Sequence, residues 1–417
     1  MHKIERLLQT LVPKGVEFKT LEEFFEIKNG YTPSKNNPEF WEKGTIPWFR
    51  MEDIRENGRI LKDSIQHITP KALKGKKLFP KNSIIISTTA TIGEHALLIV
   101  DSLANQRFTF LSKKANCGIA LDMKFFFYQC FLLGEWCKKN TNVSGFASVD
   151  MTAFKKYKFP IPPLEIQQEI VKILDAFTEL NTELNTELKA RKKQYEYYQN
   201  MLLDFKDINQ NHKDAKTYPK RLKTLLQTLA PKGVEFRKLG EVCDFQKGKS
   251  ITKKAVTFGK VPVISGGRQP AYYHNEANRS GETIAISSSG VYAGYVSYWD
   301  IPVFLADSFS ISPKQKTLMP KYLFHYLTTQ QDAIHATKST GGIPHVYSKD
   351  LQNFLIPIPP LEIQQEIVKI LDQFSLLTTD LLAGIPAEIK ARKKQYEYYR
   401  EKLLTFKPLT PHKEVKK

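Results

Sequence analysis

The sequence predicts a mixed α/β protein in which two globular α/β domains are separated by two long antiparallel, coiled-coil-like helices, the halves being related by an internal pseudo-twofold repeat. Three observations predict this architecture. Short segments occur twice in the same order, the stretches between them have diverged, and the longest repeated segments have the apolar spacing of helices. A chain of 417 residues is long enough for two to three domains, each with its own core.

Three pairs of near-identical segments define the repeat. They are Pro160–Phe177 and Pro357–Phe374 (17 of 18 residues identical), Ala190–Lys206 and Ala391–Lys407 (13 of 17), and Leu7–Leu21 and Leu225–Leu239 (12 of 15). These repeats divide the chain into seven segments: a lead-in helix at 1–16, a first variable domain at 17–157, a first long helix at 158–206, a linker with the repeated lead-in helix at 207–234, a second variable domain at 235–356, a second long helix at 357–407 and a basic tail at 408–417.

The repeated helices are long and differ in length. Apolar residues three and four apart predict a first helix from about residue 164 to 205, roughly 60 Å at 1.5 Å per residue. Its narrow apolar stripe needs a second helix, which the copy at about 361–406 is expected to supply in an antiparallel pairing. The first helix contains the tandem tetrads TELN-TELN-TELK over Thr178–Lys189, whereas the second is four residues longer and is interrupted at Gly384–Pro386. One tetrad more or less would change a helix by about 6 Å and about 40°.

The two variable domains share a skeleton although their loops differ. Ile84–Gly93 parallels Ile284–Gly294, and each is a short β-rich run that enters a turn of small residues. Leu103–Asn105 parallels Leu305–Asp307 in the same way. We therefore expect one mixed α/β fold that is used twice.

Positive charge is concentrated on the variable domains. The chain has a formal net charge of +19, of which 17–157 and 235–356 hold +6 and +5, while the two long helices together are neutral. Such a positive field favours a polyanionic partner, in particular nucleic acid. A basic protein without such a partner is the alternative.

The composition excludes several other classes. The longest apolar runs are too short to span a bilayer, and the first ten residues carry charges where a signal peptide needs an apolar stretch. The histidines show no metal-ligand spacing, and no CxxC pair is formed by the four cysteines: Cys117, Cys130, Cys137 and Cys243. We therefore expect a cytoplasmic protein with buried free thiols and no metal site.

Candidate DNA-binding residues lie in the predicted loops, where polar side chains that can contact base edges alternate with aromatic ones. In the first variable domain they are Ser34, Lys35, Asn36, Trp48, Arg50, Thr88, Thr89, Thr91 and Arg107. In the second they are Lys249, Arg268, Gln269, Tyr272, His274, Ser288, Ser289 and Tyr292. For each of them, an ordinary surface or turn role is the alternative.

Repeat and divergence together predict how the parts are used. Two near-identical neutral helices indicate two copies of one protein partner, and two divergent basic domains on one fold indicate two DNA half-sites. The candidate partner-binding residues are Gln167, Gln168, Tyr195, Tyr198, Gln364, Gln365, Tyr396 and Tyr399. The tyrosines could instead pack between helices, and the basic residues of 189–193 could be a solvated face or a track for DNA phosphates.

The chain resembles the specificity (S) subunits of type I restriction-modification systems. The resemblance rests on the doubled IPIPPLEIQQEIVKILD and ARKKQYEYY segments, the TEL tetrads and a variable domain that opens GYTPS...IPW. It implies two target-recognition domains, each reading one half of a bipartite, asymmetric site on double-stranded DNA. It further implies that the helices space these domains and bind two methyltransferase (modification) subunits, with restriction subunits joining the complex. S-adenosylmethionine, ATP and Mg²⁺ are then expected on the partner subunits, and no cofactor on this chain.

Catalysis by this chain is not expected. An amino-methyltransferase needs an [ND]PP[YF] loop, but both Pro-Pro pairs lie between isoleucine and leucine, and no GxGxxG motif is present. The alternatives to the type I assignment are the specificity subunit of a related restriction system without a separate motor subunit, and a coiled-coil adaptor that does not bind DNA.

Overall fold

The computed structural model describes residues 2–115, 118, 120–142, 147–205, 218–314, 317–339, 342–379 and 384–409. Its contacts divide the chain into two compact units. The first comprises Met1–Thr182 together with Ala391–Lys417, and the second comprises Glu183–Lys390.

The described residues of the first half of the chain form six helices and twelve strands. The helices are α1 (His2–Leu11), α2 (Leu21–Phe24), α3 (Met51–Asn57), α4 (Met123–Lys139), α5 (Met151–Lys155) and α6 (Leu164–Leu203), with 3-10 turns at Pro38–Phe40 and Pro70–Leu73. The strands are β1 (Glu17–Thr20), β2 (Phe25–Asn29), β3 (Ile46–Phe49), β4 (Ile60–Leu61), β5 (His67–Ile68), β6 (Ile84–Ser87), β7 (His95–Leu98), β8 (Leu103–Ala104), β9 (Phe108–Lys113), β10 (Thr141–Asn142), β11 (Ser148–Val149) and β12 (Lys158–Ile161). The sheets have the orders β2-β9-β6-β7-β4, β5-β3-β8, β1-β12 and β10-β11.

In the second half, the part that the structure describes contains seven helices and nine strands. The helices are α7 (Lys220–Leu229), α8 (Leu239–Val242), α9 (Pro320–Thr329), α10 (Gln331–Ala336), α11 (Ser348–Leu351), α12 (Leu361–Thr379) and α13 (Ile385–Leu404), with a 3-10 turn at Lys253–Ala255. The strands are β13 (Phe236–Lys238), β14 (Cys243–Lys247), β15 (Val261–Ile264), β16 (Tyr272–His274), β17 (Thr283–Ser287), β18 (Val296–Trp299), β19 (Phe304–Leu305), β20 (Ser308–Pro313) and β21 (Leu355–Pro357). The sheets have the orders β14-β20-β17-β18, β16-β15-β19 and β13-β21.

The core of the first unit lies on both faces of strand β6. Ile84 and Ile86 belong to one buried cluster with helix α4, whereas Ile85 lies in a second cluster. Because successive strand residues point to opposite faces, burial on both sides explains the continuous apolar run in the sequence. Two helices from distant parts of the chain complete this core with Ile166, Ile170, Leu174, Leu403 and Leu404.

Strand β17 has the same place in the second unit. Ile284 and Ile286 belong to the main buried cluster with helix α9, and Ala285 lies in a separate cluster. The end of α6 and the helices α7 and α12 complete this core with buried residues: Leu202, Phe205, Leu222, Leu226, Ile363, Ile367 and Leu371. Each unit is therefore a mixed α/β domain whose core includes two long-helix segments.

Within the first unit, α6 and residues 391–404 of α13 run in opposite directions along α4. Four contacts with α4 and its N-cap show this: Asp122–Gln167 and Tyr128–Asp175 for α6, and Gln129–Leu404 and Phe131–Arg400 for α13. Residue numbers rise along α6 and fall along α13 as α4 proceeds. The predicted antiparallel relation of the two helices is present in this unit.

The structure confirms the mixed α/β class, the two domains and the long first helix, and it refines the helices. The second helix is divided, as Gly384–Pro386 predicted: α12 ends at Thr379 and α13 begins at Ile385, with 380–383 outside the described residues. The ends of the long helices are not free spacers, because they are buried in the cores of the domains. Of the predicted linker and lead-in helix (207–234), residues 207–217 lie outside the described residues, and of the predicted tail (408–417), residues 410–417 do.

Three cysteines are buried free thiols: Cys130, Cys137 and Cys243. Burial raises the pKa of both Cys137 and Cys243 to about 12, so these thiols stay protonated and unreactive. Cys117 lies outside the described residues. Over the described part of the chain, no group of three or more His, Cys, Asp or Glu side chains is placed to hold a metal ion, and no helix is long and apolar enough to cross a membrane.

Candidate nucleic-acid interface

A turn at the end of the central strand brings two loops of the first unit together. After β6, residues 88–93 turn back to β7, and the N–H of Gly93 donates to the carbonyl of the last residue of β6 (2.9 Å). The N–H of Thr88 donates to the carbonyl of Arg107 (3.1 Å), which joins this turn to the one between β8 and β9. Gly93 has φ +88°, and a Cβ there would lie 2.5 Å from the carbonyl oxygen of Gly134 in α4. Position 93 therefore requires glycine.

A cavity of about 340 Å³ lies beside these turns, and its lining carries four cations and one carboxylate. The cations are Lys35, Arg50, Arg55 and Arg107, and the carboxylate is Glu52. Neutral polar side chains complete the lining: Thr32, Ser87, Thr91, Asn105 and Gln106. A positively charged cavity with many hydrogen-bonding groups suits a polyanion whose parts must also be distinguished.

The two arginines nearest the turns are held differently. The N–H of Arg50 donates to Asp53 Oδ2 (2.6 Å) at the start of α3, and its guanidinium carbon lies 5.8 Å from the ring centre of Trp48. Its Nε is buried without a hydrogen bond and lies 3.8 Å from the carboxylate of Glu52. The side chain of Arg107 is exposed, and its guanidinium has no hydrogen bond or ion pair within the part of the chain that the structure describes. The Arg107 guanidinium is therefore available to a ligand.

Three loops of the second unit converge at Ser289. Ser289 forms a β-bridge with His345, and the N–H of Gly290 donates to the carbonyl of Pro344 (3.0 Å). Gly266 brings the third loop close, because a Cβ there would lie 2.5 Å from the carbonyl oxygen of Ser289. The convergence lies at the end of β17, at the place that the turn after β6 has in the first unit.

A cavity of about 410 Å³ lies at this convergence. The polar side chains of its lining are Lys247, Ser250, Ser288, Ser289, Asp307, Ser308, His345, Tyr347, Ser348 and Lys349. Its charges are mixed, with two lysines and one aspartate, in contrast to the arginine-rich cavity of the first unit.

Cations lie over aromatic rings around the second cavity. The guanidinium carbon of Arg268 is 5.0 Å from the ring centre of Tyr292 and 5.7 Å from that of Tyr295. The ammonium of Lys349 lies 5.6 Å from the ring centre of Tyr347. Two aliphatic residues nearby are unusually exposed, Val291 at 81% and Ile343 at 65%. Cations held over rings, together with exposed apolar side chains, are typical of a surface that binds a partner.

Of the nine residues predicted in the first domain, five line the cavity: Lys35, Trp48, Arg50, Thr91 and Arg107. Trp48 is nevertheless buried, and its indole N–H donates to the carbonyl of Tyr31 (2.9 Å). Thr88 is also buried, and its hydroxyl bonds that of Thr109 (3.0 Å). The indole N–H of Trp48 and the hydroxyl of Thr88 are therefore used inside the domain, and DNA contact by these two residues stays a prediction. The remaining three lie outside the lining: Ser34 and Asn36, which are exposed, and Thr89, which is half-buried.

Of the eight residues predicted in the second domain, two line the cavity: Ser288 and Ser289. Arg268 and Tyr292 lie outside the lining, where the Arg268 guanidinium contacts the Tyr292 ring. His274 is buried, and its ring Nδ1 lies 3.1 Å from the backbone nitrogen of Thr257, so DNA contact by His274 stays a prediction. Tyr272 is half-buried against the cluster that contains Val263. Lys249 and Gln269 are exposed.

The sequence analysis missed several lining residues: Arg55, Asp307, His345, Tyr347 and Lys349. His345, Tyr347 and Lys349 lie in one stretch, PHVYSK, where a base, a ring and a cation alternate as in the loops that were chosen. That pattern was present in the sequence. Arg55 lies in α3 and reaches the cavity from that helix, and no alternation of aromatic and basic residues surrounds it in the sequence.

Two of the predicted partner-binding glutamines lie inside their domains. Gln167 Oε1 accepts from the N–H of Asp122 (2.8 Å), and its Nε2 donates to the carbonyls of Ala120 (3.0 Å) and Pro162 (2.7 Å). Gln364 repeats this pattern with the N–H of Met319 and the carbonyls of Thr317 and Pro359. Both glutamines are fully buried, and all their donors are used, so a partner cannot reach them.

The predicted tyrosines also make contacts within their units. Tyr198 stacks on Phe374 (5.0 Å between ring centres), and Tyr399 stacks on Phe177 (5.6 Å). Tyr396 lies 6.3 Å from the same Phe177 ring, and Tyr195 Oη is 3.4 Å from a ring nitrogen of His325. The exposed side chains at repeat-equivalent positions are instead Gln168 and Gln365, and Tyr197 and Tyr398 at 54% and 60%.

Comparisons with known proteins agree on one family. A family profile described as "Type I restriction modification DNA specificity domain" matches residues 13–194 and 231–391. The specificity subunit of the type I restriction enzyme EcoprrI of Escherichia coli is 41% identical over 381 residues, which cover 88% of this chain and 89% of the relative. The EcoR124I/EcoR124II specificity subunit of the same organism is 33% identical, covering 65% and 70%. The crystal structure of a type I S subunit from M. genitalium has a similar fold, with a TM-score of 0.57 at 19% identity and 93% and 95% coverage.

Proposed function

Because the chain belongs to the specificity subunits of type I restriction-modification systems, we propose that each of its two domains reads one half of a bipartite, asymmetric DNA sequence. Subunits of this family bind DNA, are not themselves catalytic, and work with methyltransferase and restriction subunits. The observation that carries the proposal is the pair of cavities, each at the end of the central strand and each lined by a different set of charged side chains. One fold with two different linings suits two different half-sites.

The repeated helices would each dock one methyltransferase subunit, giving two per chain. Supporting this stoichiometry, the same side chains are exposed at equivalent positions of the two copies, namely Gln168 and Gln365, and Tyr197 and Tyr398. Tyrosine is a frequent anchor residue of protein interfaces. S-adenosylmethionine, ATP and Mg²⁺ would be bound by the partner subunits.

Salt dependence tests the DNA proposal. The complex of this chain with its methyltransferase subunit should lose about 10³-fold or more in DNA affinity between 50 and 200 mM salt. Lys349→Gln should lower the slope of log affinity against log salt by about one if Lys349 contacts a phosphate. Arg237→Gln is the matched control. Arg237 lies on β13, outside the cavity lining, and pairs with Glu235.

Native mass spectrometry of the same complex should find two methyltransferase subunits for each copy of this chain. A complex that forms but does not bind DNA at 50 mM salt would contradict DNA reading and favour the coiled-coil adaptor. A single methyltransferase subunit at saturation would contradict equivalent docking by the two helices.

A further inference from the structure

The turn that precedes strand β9 in the five-stranded sheet of the first unit corresponds to the turn that precedes strand β20 in the four-stranded sheet of the second. These two turns carry opposite charges. In the first unit it is residues 105–107, between β8 and β9, and in the second it is residues 306–307, between β19 and β20. The carbonyl of Arg107 accepts from the N–H of Thr88 (3.1 Å), and the carbonyl of Asp307 accepts from the N–H of Ser288 (2.9 Å). Arg107 and Asp307 therefore occupy the same structural position.

This equivalence is shifted from the one that sequence alignment predicts. The local similarity of Leu103–Asn105 to Leu305–Asp307 pairs Asp307 with Asn105. In the structure, however, the first turn is one residue longer than the second. Strand pairing fixes the flanking residues, since Ser87 pairs with Phe108 and Ser287 pairs with Ser308. Counting back one residue from each pair gives Arg107 and Asp307.

Both side chains are exposed in the lining of their cavities and keep hydrogen-bonding capacity for a ligand. The guanidinium of Arg107 has no partner within the described ranges. Asp307 Oδ2 accepts from the hydroxyl of Ser265 (3.1 Å), which leaves Oδ1 without a described partner. A carboxylate accepts up to about four hydrogen bonds, so most of its capacity remains.

Base chemistry gives these two side chains opposite preferences. A guanidinium donates to two acceptors at once, O6 and N7 of guanine, in the major groove. A carboxylate is repelled by phosphates and by those acceptors, but it can accept from the N4 amino group of cytosine. A carboxylate in the DNA-facing lining lowers affinity for a polyanion unless such a donor meets it.

We propose that Arg107 and Asp307 are equivalent specificity-determining residues, Arg107 reading a guanine in the first half-site and Asp307 reading the amino group of a cytosine in the second. The proposal rests on the proposed function, in which each domain reads its own half. It adds the residue of each domain that decides one base pair.

Charge exchange in the assembled complex tests the proposal. Methylated motifs would be determined by single-molecule sequencing of DNA modified by the methyltransferase complex that contains the wild-type chain, Arg107→Gln, Arg107→Asp or Asp307→Arg. Arg107→Gln should reduce discrimination for guanine at one position of the first half by about tenfold to hundredfold and leave the second half unchanged. Arg107→Asp should move the preference there toward cytosine, and Asp307→Arg should move one position of the second half toward guanine.

Ser265→Ala is the matched control for a purely structural role of Asp307. It removes the hydroxyl that bonds Asp307 but keeps the carboxylate, so the second half-site should stay unchanged. An Arg107→Gln complex that modifies the wild-type motif with equal discrimination at every base overturns the inference, as does an equal loss for all sequences, which marks a phosphate contact. A wild-type complex without a two-part motif would instead contradict the proposed function. A gain of preference in the charge-exchange variants cannot arise from misfolding.

Discussion

The contacts between helix and domain differ between the two units at residues 199 and 400, one of the equivalent pairs at which the repeated helix segments differ. In the first unit the guanidinium carbon of Arg400 lies 4.3 Å from the ring centre of Phe131. At the equivalent position of the second unit, Gln199 Nε2 donates to the hydroxyl of Thr328 (2.6 Å) and to the carbonyl of His325 (3.1 Å). The residue at this position is therefore matched to the domain against which each helix segment packs.

The surrounding contacts keep a common plan. Each unit places a long-helix aspartate between a lysine and a ring of its domain: Asp175 with Lys124 and Tyr128, and Asp372 with Lys321 and His325. Burial opposes ionisation of Asp372, but the hydrogen bonds from His325 and Lys321 outweigh it, and the pKa of Asp372 is lowered. The common contacts therefore attach helix to domain, and the changed position distinguishes one domain from the other.

Removal of the buried glutamines should have the largest effect, and a similar one in both units. Gln167→Ala and Gln364→Ala each leave a buried carbonyl, that of Pro162 or Pro359, and a half-buried N–H donor without this partner. Together with the cavity left by the truncated side chain, this should lower the free energy of unfolding by about 3 kcal/mol. Hydrogen exchange of α4 and α9 peptides, read by mass spectrometry, assigns the loss to its unit. Gln168→Ala, at the exposed neighbour, should stay within about 0.5 kcal/mol. An equally small effect for Gln167→Ala would contradict the structural role.

Exchange of the residue types at positions 199 and 400 should remove the favourable contacts between each helix segment and its domain. Gln199→Arg places a charge in a buried site next to a hydroxyl and a carbonyl, and should cost about 2 kcal/mol. Arg400→Gln loses the contact with the Phe131 ring and should cost about 1 kcal/mol. The matched control is Asn200→Glu with Glu401→Asn, which exchanges another difference of the repeat on exposed helix surface and should be neutral. The free energy of unfolding would be measured by denaturant titration. If the variants at 199 and 400 are as stable as the control variants at 200 and 401, the contacts of Gln199 and Arg400 do not contribute to stability.

A pH titration should destabilise the first unit through His95, which is buried there. Burial, with smaller contributions from Arg59 and Arg400, lowers the pKa of His95 to about 3. The unfolded chain therefore binds a proton near pH 6.5 that the folded unit does not, and stability falls as pH decreases below that value. Between pH 7 and pH 5 the first unit should lose about 2 kcal/mol at this site. Exchange of α4 peptides as a function of pH measures this loss.

His95→Phe supplies the control for that titration. The phenyl ring keeps the aromatic contacts with Phe127 and Phe131 but does not titrate. The additional acid sensitivity of the first unit should disappear in the variant. Its persistence would place the titrating group elsewhere.

Truncation of the exposed tyrosines should have the smallest effect on folding. Tyr197→Ala and Tyr398→Ala should each change the free energy of unfolding by less than about 0.5 kcal/mol. If they dock methyltransferase subunits, each should weaken binding of one subunit, and the double variant should weaken both, as seen by titration in native mass spectrometry. Full occupancy by two subunits in the double variant would remove Tyr197 and Tyr398 from the interface.

Much of the fold could be predicted from the sequence because its strongest signals are local or repeated. The apolar run Ile84–Ile86 predicted a strand, and Gly384–Pro386 predicted the interruption of the second helix. The burial of Leu403 and Leu404 in the first domain could not be predicted, because packing between residues far apart in the chain leaves no local pattern. That packing makes residues 391–404 of α13 a part of the first unit.

The candidate site could be predicted only in part, because residue type does not determine which way a side chain points. Trp48 and His274 have the chemistry to contact a base, yet both are buried. The identity of Gln167 and Gln364 in the repeat fitted docking and internal bonding equally well. Arg107 was chosen by its chemistry alone, and its equivalence to Asp307 emerges only from strand register.

Replacement of one domain tests the central claim, that each unit reads its own half-site, most directly. Residues 17–157 would be exchanged for the corresponding segment of an unrelated specificity subunit, keeping an aromatic residue at position 131 so that Arg400 retains its contact. Methylated motifs would then be determined by single-molecule sequencing of DNA from cells that also express the methyltransferase subunit. If each unit reads its own half-site, the methylated motif should have two parts, of which one changes and the other is retained. A change in both halves, or no two-part motif although the complex forms, would contradict it.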